Sequence, residues 1–384
     1  MKQFSFKRFA AILTVLVMCL AVFTACGDAS TDGHVHYGDN AETLSASASD
    51  LITDMGLGWN LGNSFDSTGS SETSWGNPET TEEMIDTLAE LGFKTIRIPV
   101  SWSYHCDDDY NIDEDWIERV QEVVDWALEN DMYVILNSHH DNDVYYPSAE
   151  NHDEAVNYIT KIWTQIAEYF KDYDQHLIFE PMNEPRLSGT DYEWYYSEWV
   201  TECQDALQTI MDCNQAFVDT VRASGGNNET RYLMVSTYAA SPDAALSDDY
   251  TLPDDPSDKL LLTVHMYTPY NLAMSDSFAY TDFDESCESD IDYYIDALYE
   301  KFVANGTYVI IGEMGCTNKD NQSAREAWAE YFVSKAKESG MVCVVWDNNY
   351  INAGSEAYGL FDRSNLEIFE DCLDYYNGLM AGLK

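Results

Sequence analysis

The chain has 384 residues, of which 45% are hydrophobic, and this is enough for one large folded domain or two ordinary ones. Its formal net charge is −50, because 69 acidic residues are balanced by only 19 lysines and arginines. A chain this acidic repels nucleic-acid phosphates, anionic lipid surfaces and acidic polysaccharides. Composition therefore excludes nucleic acid as a partner and disfavours pectin-like polymers, whereas a neutral polymer fits best.

The N-terminal residues 1–25 have the pattern of a targeting segment. A basic start is followed by a nearly apolar run over 9–23, which is short for a retained membrane-spanning helix. A small residue then precedes Cys26, so the segment resembles a lipoprotein signal with Cys26 as the lipidated residue; plain secretion is the alternative. We therefore expect a monomeric extracellular or cell-surface protein whose only membrane contact is an N-terminal lipid anchor.

The remainder of the chain has the composition of one domain behind a linker. Residues 26–50 are small and polar, which predicts a flexible tether, and residues 51–384 are expected to form a single domain. Beyond Cys26 there are seven cysteines, an odd number without a CxxC pair, which argues against a disulfide framework and a structural zinc site. Mostly buried free thiols are expected, with one or two disulfides left open.

Eight short apolar segments recur along this domain. Most are rich in valine, isoleucine and leucine without alternation, as is typical of strands covered on both faces. The segments are 56–61, 95–100, 133–137, 177–180, 232–236, 260–264, 308–311 and 342–346. Eight strand–helix repeats predict an α/β fold, the (β/α)8 TIM barrel, and a doubly wound open sheet is the alternative.

Helical patterns occupy the gaps between these segments. An early helix opens at Thr80-Thr81-Glu82-Glu83 and stops at Gly92, a residue that often follows a helix end. The later helical patterns cover 113–130, 151–169, 205–224, 290–303, 325–339 and 366–379. No GxGxxG or P-loop motif accompanies them, so no nucleotide cofactor is expected.

Polar residues gather where the predicted strands end, which is where a barrel of this kind places its chemistry. Glu184 follows the fourth strand in Asn183-Glu184-Pro185, and Glu313 closes the seventh in Ile311-Gly312-Glu313. Two carboxyl groups that flank one bond are the groups most glycosidases use to cut a glycosidic linkage. Arg97 lies within an apolar strand and requires a buried partner, because an unpaired buried charge is very costly.

These motifs, in this order and spacing, resemble glycoside hydrolase family 5 over roughly residues 50–380. The second-strand motif of that family resembles residues 92–102, and its acid/base motif resembles Asn183-Glu184-Pro185. Two further motifs resemble His265-Met266-Tyr267 and Ile311-Gly312-Glu313. Gly58-Trp59-Asn60-Leu61-Gly62-Asn63 and Trp75-Gly76-Asn77-Pro78 resemble subfamily 4, which contains endoglucanases and xyloglucanases.

The resemblance implies a role for each matching residue. Glu184 is the general acid/base and Glu313 the nucleophile. The implied substrate-binding and positioning residues are Arg97 and Tyr267 beside Glu313, Asn183 at the sugar 2-hydroxyl, His139, His140, His265 and Trp346 around the same sugar, and Asn63, Asp66 and Trp75 further along the cleft. The adjacent residues His139 and His140 are not expected to share a metal, since neighbouring strand residues point to opposite faces.

The implied activity is that of a retaining endo-β-1,4-glucanase acting on a neutral β-glucan, namely cellulose, mixed-linkage glucan or xyloglucan, without cofactor or metal. The charge of Glu313 is expected to raise the pKa of Glu184 by like-charge repulsion, while Arg97 keeps Glu313 charged. Two alternatives remain open. One is a β-mannanase or xylanase of the same fold, and the other is a surface lipoprotein that captures polysaccharide without cutting it.

Overall fold

The computed structural model describes residues 47–354 and 356–384, and its eight principal strands form one closed parallel barrel. Each strand pairs with the next in sequence, and β8 closes the barrel against β1, from Leu57 opposite Cys343 to Leu61 opposite Asp347. The strands are β1 (Leu57–Leu61), β2 (Thr95–Ile98), β3 (Tyr133–Asn137), β4 (Leu177–Glu180), β5 (Leu233–Val235), β6 (Leu260–Met266), β7 (Tyr308–Met314) and β8 (Val342–Asp347). The predicted (β/α)8 barrel is confirmed, and the open sheet is wrong.

Helices alternate with these strands as predicted. Several begin at a side chain that accepts a main-chain N–H, such as Thr81 from Met84 and Asp113 from Asp115, which is the usual way to satisfy a helix start. The helices are α1 (Ala48–Met55), α2 (Glu82–Glu90), α3 (Glu114–Glu129), α4 (His152–Tyr169), α5 (Thr201–Ala223), α6 (Pro242–Leu246), α7 (Tyr270–Ala273), α8 (Glu285–Lys301), α9 (Gln322–Glu338) and α10 (Leu373–Ala381). Among the described residues, none of the helices has both the length and the apolar character needed to cross a bilayer.

Helix α1 closes the amino-terminal end of the barrel. Its buried residues Leu51, Ile52 and Met55 belong to one apolar cluster with Tyr133 at the start of β3 and Tyr232 just before β5. Burying these apolar groups stabilises the fold and leaves the opposite, carboxyl-terminal end of the barrel as the open one.

The tether was predicted to end too late. Residues 48–50 already lie in α1, because the apolar side chains that follow them anchor the helix to the barrel. The predicted signal segment at 1–25 and the tether at 26–46 lie outside the described residues.

The C-terminal region differs from the predicted helix over 366–379. Leu366 has a φ of 58°, and Glu367–Ile368 form a strand, β10, that pairs with β9 (Phe361–Asp362) before α10 begins. Periodicity misplaced the helix start because a tight hairpin precedes it.

The cysteines of the described residues are free thiols, and all but one are buried, which confirms the expectation. They are Cys106, Cys203, Cys213, Cys287, Cys316, Cys343 and Cys372.

Helix α10 packs against α9 so closely that position 378 accepts only glycine. A methyl group on Gly378 would overlap the main-chain carbonyl oxygen of Glu326. We expect Gly378→Ala to destabilise the fold by about 1–3 kcal/mol, the usual cost of overpacking. Thermal unfolding measures this, with Asn377→Ala on the exposed side of the same helix as the control. Equal melting temperatures for the two variants would contradict the packing described.

Candidate active site

Arg97, on β2, is fully buried at the centre of a hydrogen-bond network at the open end of the barrel. Its guanidinium donates to Glu180 through Nε at 2.7 Å and to Glu313 through Nη1 at 2.8 Å. It also donates to the amide oxygens of Asn183 at 2.7 Å and Asn60 at 2.9 Å. Burial alone would lower the pKa of Arg97, but the two carboxylates raise it above its ordinary value. Arg97 is therefore charged and fixes the positions of four side chains.

Glu313, near the end of β7, is held at both carboxylate oxygens. Oε1 accepts from Arg97, and Oε2 accepts from the hydroxyl of Tyr267 at 2.9 Å. The pairing of β6 with β7 places His265 opposite Glu313, and His265 Nδ1 lies 3.6 Å from Oε2. One oxygen of Glu313, one of Glu184 and a ring nitrogen of His265 all lie within 4.8 Å of one another. Both predicted carboxylates are thus at one point in the cleft.

Glu184 lies in the loop after β4, where Oε1 accepts from His265 Nδ1 at 2.7 Å and Oε2 lies 3.4 Å from Arg186 Nη1. Burial raises the pKa of Glu184, but the hydrogen bond and charge of His265 lower it, with smaller effects from Arg186 and His140. The overall pKa is lowered. The expected rise through Glu313 is therefore wrong for the site without substrate, because the effects of His265 and Arg186 outweigh burial.

Aromatic rings line one side of the cleft. His139 and Trp346 are nearly parallel, with an interplanar angle of 4° and centroids 5.8 Å apart. His140 lies against both His139 and Trp75, with centroid distances of 4.5 Å and 5.5 Å. Burial lowers the pKa of His139 well below its ordinary value and that of His140 to about 4, so both imidazoles are neutral at neutral pH. These four predicted residues are brought together.

Asn63 and Asp66 occupy the turn after β1. Asn63 is in the left-handed region with a φ of 57°. Asp66 is fully buried and accepts the main-chain N–H groups of Asn63 at 3.0 Å and Ser64 at 2.6 Å. Burial raises the pKa of Asp66 to about 7. The predicted contact between Asp66 and substrate is therefore wrong, because a side chain with no exposed surface supports the turn and cannot touch a polymer.

A second group of three possible metal ligands lies beside the carboxylate pair. Asp66, His139 and His140 each offer one ligand atom, and these atoms lie within 4.8 Å of one another. The expectation that the two histidines point to opposite faces is wrong, because β3 ends at Asn137 and strand alternation does not continue beyond it. That the site works without a metal stays a prediction.

Two residues of the site were missed at the sequence level. Glu180 ends β4 and forms a fully buried ion pair with Arg97. Its signal was a second charge in an apolar segment, which needs a partner as much as Arg97 does. Arg186 follows the Asn183-Glu184-Pro185 motif directly and contacts Glu184, but nothing in its spacing distinguishes it from a surface arginine.

Comparison with known proteins places this geometry in a family context. Residues 60–352 match the family described as Cellulase (glycosyl hydrolase family 5). Endoglucanase A of Clostridium longisporum is 42% identical over 352 residues, which cover 88% of this chain and 66% of that protein. Endoglucanase A of Ruminococcus albus is 42% identical over 343 residues, which cover 86% of this chain and 92% of that protein.

Solved structures show the same similarity. A glycoside hydrolase 5 lichenase mutant from a Caldicellulosiruptor species, in complex with cellotetraose, superposes with a TM-score of 0.85 and 41% identity, covering 88% of this chain and 96% of that one. A GH5-4 broad specificity endoglucanase from Ruminococcus champanellensis with bound cellotriose gives a TM-score of 0.81 and 42% identity, covering 87% and 98%.

The contact between His265 and Glu184 predicts a measurable titration shift. In His265→Asn the imidazole that lowers the pKa of Glu184 is lost while the burial of Glu184 remains, so we expect the pKa of Glu184 to rise. Carbon NMR of the labelled carboxyl group, assigned with Glu184→Gln, measures the midpoint. His176→Asn, at the other end of the barrel, is the control. A midpoint that stays or falls in His265→Asn would show that His265 does not set this pKa.

Proposed function

The chain belongs to glycosyl hydrolase family 5, the cellulase family, and its barrel is an endo-β-1,4-glucanase; we propose that Glu184 and Glu313 cut the polymer by double displacement with retention of configuration. One observation carries this proposal, namely that an oxygen of each carboxylate lies within 4.8 Å of the other. Retaining enzymes hold their carboxyl groups about 5–5.5 Å apart, whereas inverting enzymes leave about 6.5–9.5 Å for a water molecule.

In the first step Glu313 attacks the anomeric carbon and forms an ester bond to it. The bond from that carbon to the glycosidic oxygen breaks, and Glu184 gives its proton to the departing oxygen. Because Arg97 and Tyr267 hold both oxygens of Glu313, the nucleophile needs no reorientation at the moment of attack. The lowered pKa of Glu184 means that the protonated form is the scarcer one at neutral pH, so activity falls as pH rises.

In the second step water replaces the ester. Glu184, now a carboxylate, takes a proton from water while the water oxygen bonds to the anomeric carbon and Glu313 is released. The cationic surroundings that lower the pKa of Glu184 favour its carboxylate form, which is the form this step requires. The same environment therefore disfavours the protonated Glu184 that the first step needs and favours the carboxylate that the second step needs.

The sugar at the cut is proposed to lie against the wall formed by Trp346 and His139. Trp346 is partly exposed, and its ring offers an apolar face to a pyranose. Arg97 engages the amide oxygen of Asn183, which turns the NH2 group of that side chain towards other partners, and we assign it to the sugar 2-hydroxyl.

The substrate is proposed to be a neutral β-glucan. The similar proteins named above are a lichenase and endoglucanases, and two of them were solved with cello-oligosaccharides. The net charge of −50 disfavours an acidic polymer.

We also propose that the enzyme is a monomer held at the cell surface by a lipid on Cys26. The support is the basic and apolar pattern of 1–25 and the small residue before Cys26, all of which precede the described residues.

Azide distinguishes the two carboxylates. We expect Glu313→Ala and Glu184→Ala to lose natural-substrate activity by a factor on the order of 10⁴ or more and 10² or more, respectively. With an activated aryl cellobioside, azide enters the face vacated by Glu313 and gives the α-glycosyl azide, whereas in Glu184→Ala it replaces water and gives the β-azide. Product NMR identifies the anomer. Glu300→Ala, which changes an exposed acid on α8, is the control. Exchanged anomers in the two variants would reverse the assignment, and the same anomer from both would remove it.

Lipidation is tested with the full chain in a bacterial host that processes lipoproteins. The wild-type protein is expected to incorporate labelled palmitate and to enter the detergent phase on partitioning. Cys26→Ala is expected to lose both properties, while Cys106→Ala, which changes a partly exposed thiol of the barrel, keeps them. An unlabelled wild-type protein would favour plain secretion.

A further inference from the structure

Arg186 links the acid/base glutamate to an exposed aromatic ring. Its Nη1 donates to the main-chain oxygen of Glu184 at 2.8 Å and lies 3.4 Å from Oε2 of the same residue. Its Nε lies 3.4 Å from Glu193, and that carboxylate also accepts the N–H of Gly189 at 3.0 Å. The guanidinium lies over the indole of Trp194, 3.9 Å from the ring centroid. One arginine thus joins three groups of the loop that follows β4.

The two oxygens of Glu184 are not equivalent in this arrangement. Oε1 accepts the short 2.7 Å hydrogen bond from His265, whereas within the described part of the chain Oε2 has only the longer 3.4 Å contact with Arg186. Since a hydrogen bond weakens as it lengthens, Oε2 is the oxygen that can carry the acid proton. The hydrogen bond from Arg186 to the main-chain oxygen of Glu184 fixes the guanidinium without using Oε2. The guanidinium can therefore set the position of Oε2 while making only a long contact with that oxygen.

Trp194 borders a groove of ≈ 460 Å³ that also reaches Glu184, His265, Tyr267, Tyr270 and Tyr293. All of these residues follow β4 or β6 or end β6, whereas Trp346 and Trp75 belong to β8 and the loop after β1 on the other half of the barrel mouth. With the cleaved sugar against Trp346, this groove lies on the side of the departing chain. Trp194 is 61% exposed although the guanidinium covers one face, so its other face is open to a sugar ring.

We propose that Arg186 is a positioning residue that couples Glu184 to Trp194, so that a glucose unit of the departing chain stacked on Trp194 places the acid proton at the glycosidic oxygen. The proposal rests on the retaining mechanism assigned above. Stacking by the sugar and by the guanidinium on opposite faces of one indole fixes the distance from the departing sugar to Glu184. A carboxylic acid must lie within hydrogen-bond reach of the atom it protonates, and this coupling supplies that geometry.

An arginine that only braced the loop through Glu193 would affect every substrate equally. A positioning role is specific, because it matters only when the leaving oxygen needs a proton. Phenyl β-cellobioside needs one, and 2,4-dinitrophenyl β-cellobioside, with a far better leaving group, does not. The ratio of kcat/KM on these two substrates therefore separates the two roles.

The experiment compares six purified variants with the wild-type enzyme. Arg186→Gln is expected to lower kcat/KM on the phenyl substrate by about tenfold more than on the dinitrophenyl substrate, a fraction of what a complete general acid contributes. The alkaline limb of the pH–rate profile of Arg186→Gln is expected to move to higher pH, because a cation that lowers the pKa of Glu184 is lost. Arg186→Lys is expected to restore the pH limb but not the ratio, since a single ammonium cannot contact carbonyl, carboxylate and ring together. Arg222→Gln, which breaks a comparably buried ion pair with Asp255 away from the site, is expected to change neither.

The fourth variant, Glu184→Gln, shows which claim fails if the result differs. A wild-type ratio in Arg186→Gln, or an equal loss on both substrates, beside a steep leaving-group dependence in Glu184→Gln, overturns the positioning role alone. A Glu184→Gln enzyme without that dependence overturns the acid assignment and the proposal that rests on it. In Trp194→Leu, the ratio of kcat/KM on cellotetraose, whose departing group is made of glucose units, to kcat/KM on the dinitrophenyl substrate is expected to fall, as it is in Arg186→Gln, and the double variant is expected to show less than the sum of both effects.

Discussion

The buried guanidinium of Arg97 is the constraint on which the geometry of the active site depends. A charge taken out of water costs several kcal/mol unless it is paired and fully hydrogen-bonded, and Arg97 meets that condition with Glu180 and Glu313. Because its planar fork fixes the directions of its partners, it places Glu313 directly and also places Asn183, the neighbour of Glu184 in the chain. One side chain inside the barrel therefore sets the separation of two carboxylates, one on β7 and the other in the loop after β4.

Most of the barrel could be predicted because its signals are local. Strands buried on both faces need continuous apolar segments, and every such segment became a strand, with β6 and β7 running further than expected to include His265 and Glu313. Capping residues such as Thr81 marked helix starts equally well. The failures lie where local pattern competes with distant contacts. Residues 48–50 have the composition of a linker, but they form part of α1 because the helix packs against the end of the barrel. The β9–β10 hairpin occupies the beginning of the last predicted helix.

The sequence predicted which residues meet at the site better than it predicted their pKa values. The motifs identified the residues that meet at the cleft, but a pKa depends on every neighbour in space. Repulsion by Glu313 argued for a raised pKa of Glu184, whereas the contacts with His265 and Arg186 lower it. Asp66 belongs to a matching motif and is nevertheless buried under the turn that it supports. Arg186 gave no sequence signal, since its importance comes from the position of Trp194 against it.

The central claim is that these two carboxylates act across one glycosidic bond at the short separation of a retaining enzyme. Proton NMR of the reducing ends first released from cellotetraose by the wild-type enzyme tests it most directly, before the anomers equilibrate in water. We expect the β-anomer to accumulate first and then to convert to the equilibrium mixture of anomers. Initial release of the α-anomer would mean a single inverting displacement and would contradict it.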